Sequence, residues 1–334
     1  MSDRSSGTAD TMRDRANESS LKIWLLLVAN RLLVTTFLAG AVFAVFVLIG
    51  SIDPAVAVLL GERSVIETIF GTMISALILG VTLVVAINQL IISQENGPLG
   101  DQHERMSDAM TVRGFVSELT ERPLPAEPAE FSRDLIVATE SRVETVRRTI
   151  DATNEPELES EVDDFLDSVL ENTEHVKRKL DGAEFGRFGV VSALLDYNYS
   201  WKIVQTEQLR NDYGDVLNDD QLAALDDLQQ AFVLFGPVRE HIKTLYFQWQ
   251  LINLSRLILY TAVPGIVMAT VTLAFVDSTT VTGQTMMIEN LVWVIGAAFT
   301  LSLVPFLLLT VYILRIATVA KRTLAIDPLI LRNV

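Results

Sequence analysis

The sequence contains no cysteine among its 334 residues, which excludes disulfides, thiolate metal sites and cysteine nucleophiles. Histidine is scarce too: His103, His175 and His241 lie far apart in the chain, and none has a second histidine or a paired carboxylate at ligand spacing. The chain also lacks a glycine-rich phosphate loop. These absences predict no catalytic residues, no metal site and no cofactor, and we expect that the protein is not an enzyme.

Acidic residues are abundant but confined to one part of the chain. The sequence carries 42 Asp and Glu and a net charge of −16, yet half of its residues are hydrophobic and its mean hydropathy is +0.35. Residues 94–250 hold 32 acidic and 15 basic residues, whereas the rest of the chain holds 10 and 11. This separation predicts one acidic aqueous part and one apolar part, and the acidic excess argues against a nucleic-acid partner.

Lysine provides only 6 of the 26 basic residues. An acidic, lysine-poor surface keeps a protein hydrated in concentrated salt, where charge repulsion is screened. This composition favours a halophilic archaeon as the source, and an ordinary acidic domain is the alternative.

Four apolar stretches reach the roughly 20 residues needed to span the hydrocarbon core; they are residues 32–50, 69–93, 257–276 and 291–314. We therefore predict an all-α membrane protein with four transmembrane helices in a 2+2 layout. A helical cytoplasmic domain is inserted between the second and third spans. The predicted parts are a disordered cytoplasmic tail at 1–19, a transmembrane hairpin at 20–93, the acidic helical cytoplasmic domain at 94–250, a second transmembrane hairpin at 251–318, and a cytoplasmic tail at 319–334.

Basic residues set the predicted orientation. The two short connections at 51–64 and 277–290 contain a single basic residue, Arg63, whereas the other segments hold the remaining 25. Positive residues mark the cytoplasmic side of a membrane. We expect a multi-pass protein of the cell membrane with both termini in the cytoplasm.

Aromatic and basic residues flank the predicted spans and are expected to anchor them in the lipid headgroups. These membrane-interface anchors are Trp24, Arg31, Tyr246, Trp249 and Arg256.

The 94–250 segment shows helical patterning. Apolar residues recur every three or four positions at 136–150 and at 162–180, which is typical of amphipathic helices. Gly236 and Pro237 are predicted to end a helix. Residues 238–275 contain no strong breaker except Pro264, which predicts a helix that continues from the domain into the third span.

Uncharged polar residues cluster at the cytoplasmic end of the second span, namely Asn88, Gln89, Ser93 and Gln94. Amides at such a position must find partners in neighbouring helices or in water. They would line a polar vestibule, or they would form an interfacial cap packed on the domain.

Spaced apolar residues in the second span complete a layout that resembles bestrophin-type channels. These have two spans, a helical cytoplasmic region and two further spans, with an apolar constriction at intervals of four residues in the second span. Ile66, Phe70 and Ile74 stand at that interval here. We expect a homo-oligomer with the second span at its axis, because that span is long, ends in amides and has no charge near the middle of the bilayer. The pore lining would then be Ile66, Phe70, Ile74, Asn88, Gln89, Ser93 and Gln94. A four-span family of haloarchaea with the same layout is the alternative assignment.

The predicted spans carry no ionisable residue near the middle of the bilayer, where an ion-coupled carrier usually needs one. A passive pore has no such requirement. We expect a homo-oligomeric, channel-like protein embedded in the lipid bilayer. The alternative is a non-transporting sensor or scaffold whose acidic domain binds a cytoplasmic protein partner.

Overall fold

The computed structural model describes residues 29–52, 58–95, 97–120, 123–150, 155–323, 326–327 and 330–331. These residues are mostly helical. The helices are α1 (Arg31–Ile52), α2 (Arg63–Glu95), α3 (Leu99–Thr120), α4 (Pro128–Ile150), α5 (Pro156–Leu180), α6 (Phe188–Leu195), α7 (Tyr199–Tyr213), α8 (Asp219–Phe275) and α9 (Asn290–Thr323). The strands are β1 (Gln284–Thr285), β2 (Ile288–Glu289), β3 (Ile326–Asp327) and β4 (Ile330–Leu331).

The chain divides into two compact units. The described residues of the helical unit lie within Gly97–Phe247 and Val319–Val334, and those of the span unit lie within Ile23–Asn96 and Gln248–Thr318. Among the described residues, four helices are long and apolar enough to cross a membrane: α1, α2, α8 and α9. The prediction of four membrane-spanning helices is confirmed to this extent. The predicted tail at 1–19 and the anchor Trp24 lie outside the described residues.

Two apolar clusters hold the span unit together. One contains Ile66 and Phe70 of α2, Ala269 of α8 and Leu291, Val292, Ile295 and Ala298 of α9. The other joins Val84 of α2 to Leu254 and Ile258 of α8 and to Leu308 and Tyr312 of α9. Burial of such side chains against one another fixes the packing of α2, α8 and α9 inside the unit.

Small residues let these helices approach closely. A Cβ atom on Gly50 of α1 would lie 2.5 Å from Cγ1 of Val292, and a Cβ on Gly296 of α9 would lie 2.8 Å from Cδ1 of Phe46. Ser302 of α9 also donates a hydrogen bond of 3.1 Å to the carbonyl oxygen of Gly265 in α8. Close contact through small residues is the usual way in which membrane helices associate.

The core of the helical unit forms around the two predicted amphipathic stripes. Ile136, Val143 and Val146 of α4 are fully buried, as are Leu166 and Val169 of α5. Arg147, near the end of α4, pairs with Asp163 near the start of α5 at 3.1 Å, and Lys177, near the end of α5, pairs with Glu140 in the middle of α4 at 2.9 Å. The two helices therefore form an antiparallel pair.

Helix α8 starts with a reciprocal cap. The backbone N–H of Gln221 donates to the side-chain oxygen of Asn218 at 3.0 Å, and the backbone N–H of Asn218 donates to the side-chain oxygen of Gln221 at 2.9 Å. Reciprocal hydrogen bonds of this kind satisfy backbone donors at the start of a helix.

The predicted helix end at Gly236 and Pro237 is wrong, because α8 runs unbroken for 57 residues. A Cβ on Gly236 would lie 3.2 Å from the ring of Tyr199. The glycine therefore serves close packing rather than a turn. The predicted continuation of this helix through residues 238–275 is confirmed.

A short β-hairpin lies between α8 and α9. Strands β1 and β2 pair antiparallel, with Thr285 opposite Ile288, so that Met286 and Met287 form a two-residue turn. Both methionines have positive φ, at 52° and 64°. Positive φ at both central residues defines a type I′ turn, which Asn and Gly adopt readily and methionine does not.

The start of this connection is held by Asp277. The pKa of the Asp277 carboxyl is lowered to about 2, because it accepts hydrogen bonds from the Thr279 hydroxyl and from the backbone N–H groups of Thr280 and Thr279.

Candidate functional site

Helix α2 has one strongly buried face. Ile66, Phe70, Met73, Leu77 and Val84 recur every three, four or seven positions and are all buried inside the span unit. This spacing keeps them on one side of the helix. The buried side is therefore apolar and dry.

The opposite, exposed face of α2 carries polar and small residues at helical spacing. The exposed stripe, as we call it, consists of Ser64, Thr68, Ser75, Thr82, Ala86, Gln89 and Ser93, together with the half-buried Gly71. The exposed face of α8 in the span unit differs, since it is mainly apolar and includes Val263, Val267, Val271 and Phe275. The polar face of α2 is thus not a general property of exposed helix surface in this unit.

The hydroxyl groups of the exposed stripe donate to their own helix. Thr68 donates to the carbonyl oxygen of Ser64 at 2.8 Å, Ser75 to that of Gly71 at 3.0 Å, and Thr82 to that of Ile78 at 2.9 Å. Each hydroxyl oxygen keeps lone pairs that can still accept a hydrogen bond. The stripe therefore presents hydrogen-bond acceptors to whatever lies outside the helix.

An apolar interval interrupts the exposed stripe between Ser75 and Thr82. Ile78 and Leu79 flank the stripe there and are 55% and 72% exposed. Between Glu67 and Ser93 the helix carries no charged residue. The face consequently alternates polar, apolar and polar along its length, without an ionisable group in the middle.

The structure separates the seven residues for which the sequence predicts a pore lining. Ile66 and Phe70 are fully buried, and Ile74 is partly buried against the same cluster. These three side chains pack within the span unit and do not belong to the exposed stripe. Among the polar residues, Gln89 and Ser93 lie on the stripe, and the side chain of Gln94 lies outside the described residues.

Asn88 holds α2 against α8. Its side-chain oxygen accepts a hydrogen bond of 2.9 Å from the hydroxyl of Ser255, which is itself buried. Within the span unit Asn88 therefore acts as an interhelical contact. Its neighbour Gln89 faces outward, and no hydrogen bond to its amide is found among the described residues.

Of the predicted interface anchors that the structure describes, two are exposed and two pack against other side chains. Trp249 and Arg256 are exposed, as an anchor requires. Arg31 donates to the side-chain oxygen of Gln250, and its guanidinium lies 4.5 Å from the ring centroid of Tyr312.

Tyr246 is fully buried in the helical unit, where its ring centroid lies 6.2 Å from that of Phe188. It packs in the core of that unit.

A buried polar group in the helical unit was not expected from the sequence. Lys202 is fully buried; its ammonium donates to the side-chain oxygen of Asn172 at 2.7 Å and lies 4.5 Å from the ring centroid of Tyr197. Asn172 donates in turn to the carbonyl oxygen of Asp196 at 2.9 Å.

The Asp196 carboxylate is also buried. It pairs with Lys179 and lies 3.6 Å from Nε2 of His175. His175 thus has a carboxylate neighbour that sequence spacing could not reveal, because the two residues come from different elements. Buried networks of this kind fix the arrangement of the elements that share them.

The exposed stripe itself could have been found from the sequence. Its hydroxyl, amide and small residues recur every three, four or seven positions, the same helical period that marks an apolar face. Apolar spacing alone indicates Ile66, Phe70 and Ile74 instead, which belong to the buried side.

The model of a family of unknown function, DUF7972, matches residues 1–334, and the chain belongs to this family. No curated protein and no solved structure matches the chain.

Proposed function

We propose that this member of the DUF7972 family is a homo-oligomeric channel-like membrane protein, in which the exposed stripe of α2 from each copy lines a passive pore. The exposed stripe is the observation that carries the proposal. The proposal keeps the second span at the axis, as expected from the sequence, but it assigns the lining to the face opposite Ile66 and Phe70.

Exposure of the Gln89 amide to lipid would cost free energy, and this supports orientation of the stripe toward an axis. The hydroxyls of Thr68, Ser75 and Thr82 are satisfied within the helix and would tolerate lipid. The Gln89 amide has two donors and an acceptor to satisfy, and polar groups left unpaired in hydrocarbon are costly. Water at an axis, or the matching amide of another copy, would satisfy them.

A passive mechanism is supported by the absence of charge along the stripe. Coupled carriers and pumps usually place ionisable residues near the middle of the bilayer. A pore can be lined by hydroxyls and amides and closed by an apolar ring that excludes water. Ile78 and Leu79, which flank the stripe, would form such a ring and act as the gate.

The proposed topology has both termini and the 94–250 segment in the cytoplasm, in a 2+2 arrangement of spans in the cell membrane. It is supported by the distribution of basic residues, since Arg63 is the only basic residue in the two short connections.

Single-channel recording from purified protein in planar bilayers tests the proposal. We expect Thr82→Val to reduce conductance and Leu79→Ser to increase it, because the first change removes an acceptor and the second widens and wets the apolar ring. Thr270→Val is the matched control, since Thr270 is an exposed threonine of α8 that donates to the carbonyl of Ile266 in the same way, at 2.8 Å.

Silence of the unmodified protein under varied salt, voltage and calcium would refute the channel. Equal effects of the two threonine variants would refute the assignment of the lining to α2. A monomer in native mass spectrometry would remove the axis altogether.

A second candidate function is a membrane scaffold or sensor that binds a cytoplasmic protein. It is favoured by the first half of α3, where every residue from 99 to 111 is exposed, including Leu99, Met106 and Met110. Exposed apolar side chains at this spacing suit a partner helix. Capture of one protein by the wild type, lost in Met106→Asp without loss of conductance, would support this function in place of or beside the first.

A further inference from the structure

The turn between β1 and β2 exposes two large apolar side chains. Met286 is 82% exposed and Met287 is 94% exposed, the highest value among the exposed large hydrophobic residues of the described chain. Both have backbone conformations that side chains with a Cβ atom adopt rarely. A turn of this type would form more readily with Asn and Gly. Strain of this kind persists only where the surrounding structure fixes it, and it is often associated with function.

Hydrogen bonds around Asn290 fix the hairpin. The backbone N–H of Asn290 donates to the carbonyl of Gly283 at 2.9 Å, and its side-chain amide donates to the carbonyl of Thr282 at 3.0 Å. The Thr285 hydroxyl donates to the Asn290 side-chain oxygen at 2.7 Å. The turn is therefore presented on a braced support rather than on a loose loop.

Two contacts place the hairpin at the end of the spans. Ile288, next to Met287, packs against the apolar cluster that contains Phe70 and Val292. The indole N–H of Trp293, in the first turn of α9, donates to the carbonyl of Thr285 at 3.3 Å. Each strand residue adds only about 3.3 Å along the chain. The tip therefore lies within about 10 Å of the apolar cluster and of the first turn of α9.

We propose that Met286 and Met287 insert into the lipid surface and anchor the hairpin in the interfacial region of the bilayer. The lipid surface is the occupant because the tip is apolar as well as close to the ends of the spans, where headgroups and upper acyl chains lie. Flexible thioether side chains adapt to such an irregular apolar surface. This inference rests on the four candidate spans and not on the proposed pore.

The proposed contact of the tip with lipid depends on apolar side chains and not on charge attraction. The connection from residue 277 to residue 289 carries Asp277 and Glu289 and no basic residue. It therefore offers nothing to attract anionic headgroups. The tip should insert into vesicles of phosphatidylcholine alone, without any need for an anionic lipid such as phosphatidylglycerol, and added salt should not weaken the insertion.

The absence of cysteine from the sequence makes the test direct. A nitroxide is attached to the single cysteine of Met287→Cys in the full-length protein, reconstituted into phosphatidylcholine vesicles. The matched control is Ser278→Cys, an exposed position in the same connection. The accessibility of each nitroxide to oxygen, which concentrates in lipid, is compared with its accessibility to a water-soluble nickel chelate.

We expect the label at position 287 to be several times more accessible to oxygen relative to nickel than the label at position 278. Equal, nickel-dominated accessibility at both positions would show that the tip is in water and would overturn the proposal. Exclusion of both reagents at position 287 would show that protein, such as a second copy of the chain, covers the tip, and it would also overturn the proposal.

Discussion

Gly50 packs so closely against α9 that adding one methyl group should destabilise the span unit. The Cβ of Gly50→Ala would lie 2.5 Å from Cγ1 and 3.3 Å from Cγ2 of Val292. Val292 is fully buried and is stiff about χ1, because it is branched at Cβ. It cannot rotate away, so one of the helices must move.

The size of the effect follows from a comparison within α1. Gly40→Ala gains the same helix propensity, up to about 1 kcal/mol, but nothing lies within 4 Å of its added methyl group. Overpacking a well-packed site costs roughly 1–3 kcal/mol. We therefore expect the free energy of unfolding of Gly50→Ala to be lower than that of Gly40→Ala by about this amount.

The assay is reversible unfolding in mixed micelles, with increasing dodecyl sulfate and detection by far-ultraviolet circular dichroism. Val292→Ala is then added to Gly50→Ala to complete a double-mutant cycle. Because the second change removes the clashing methyl groups, we expect the pair to be coupled by about 0.5–3 kcal/mol. Equal stability of the two glycine variants, or an additive cycle, would show that α1 does not pack on α9 as described.

Three further predictions concern other parts of the chain. Asn172→Leu should destabilise the helical unit by about 1–3 kcal/mol, because it removes the buried hydrogen bonds that Asn172 makes with the Lys202 ammonium and with the carbonyl oxygen of Asp196; an unchanged thermal unfolding transition would contradict this. The pKa of the Asp277 carboxyl is lowered to about 2 from an ordinary value of 3.8. The stabilisation that this carboxylate gives the connection is therefore fully present above pH 3.8 and should be lost as the pH falls through about 2, which amide hydrogen exchange would detect. Unchanged protection of the connection would refute this. Replacement of Met286 by Asn together with Met287 by Gly should stabilise the hairpin by roughly 1–3 kcal/mol through relief of strain, measured by the same exchange; no gain would mean that the turn is not strained.

The long elements could be predicted because hydrophobicity alone determines them. The predicted second span at 69–93 lies inside α2, and the predicted fourth span at 291–314 lies inside α9. Stretches of this length leave no alternative to a helix that satisfies its own backbone in lipid.

Features that depend on a distant contact could not be predicted. Gly236 and Pro237 suggest a helix end locally, but the glycine is needed for contact with the Tyr199 ring, and tertiary packing outweighs the local preference. The hydrogen bond between Asn88 and Ser255 joins residues 167 positions apart, so the amide could not be distinguished from an exposed one. Nor does the pair Met286 and Met287 suggest a turn in the sequence.

Assignment of the faces of α2 required the neighbouring helices. Ile66 and Phe70 have the spacing of a constriction, but the same spacing serves a packed core equally well. Only the contacts with Leu291, Val292 and Ile295 identify this side as the dry one. The pattern in the sequence reports that two faces differ, and packing decides which of them is covered.

The internal hydrogen bonds of Thr68, Ser75 and Thr82 also bear on which ions the proposed pore would favour. Because each hydroxyl proton is committed to a backbone carbonyl, the outward side of these groups is electronegative. Such a surface replaces the hydration of a cation better than that of an anion. We therefore expect cation selectivity, read as the sign of the reversal potential in a salt gradient, which is the opposite of what an anion-conducting channel with this layout would show.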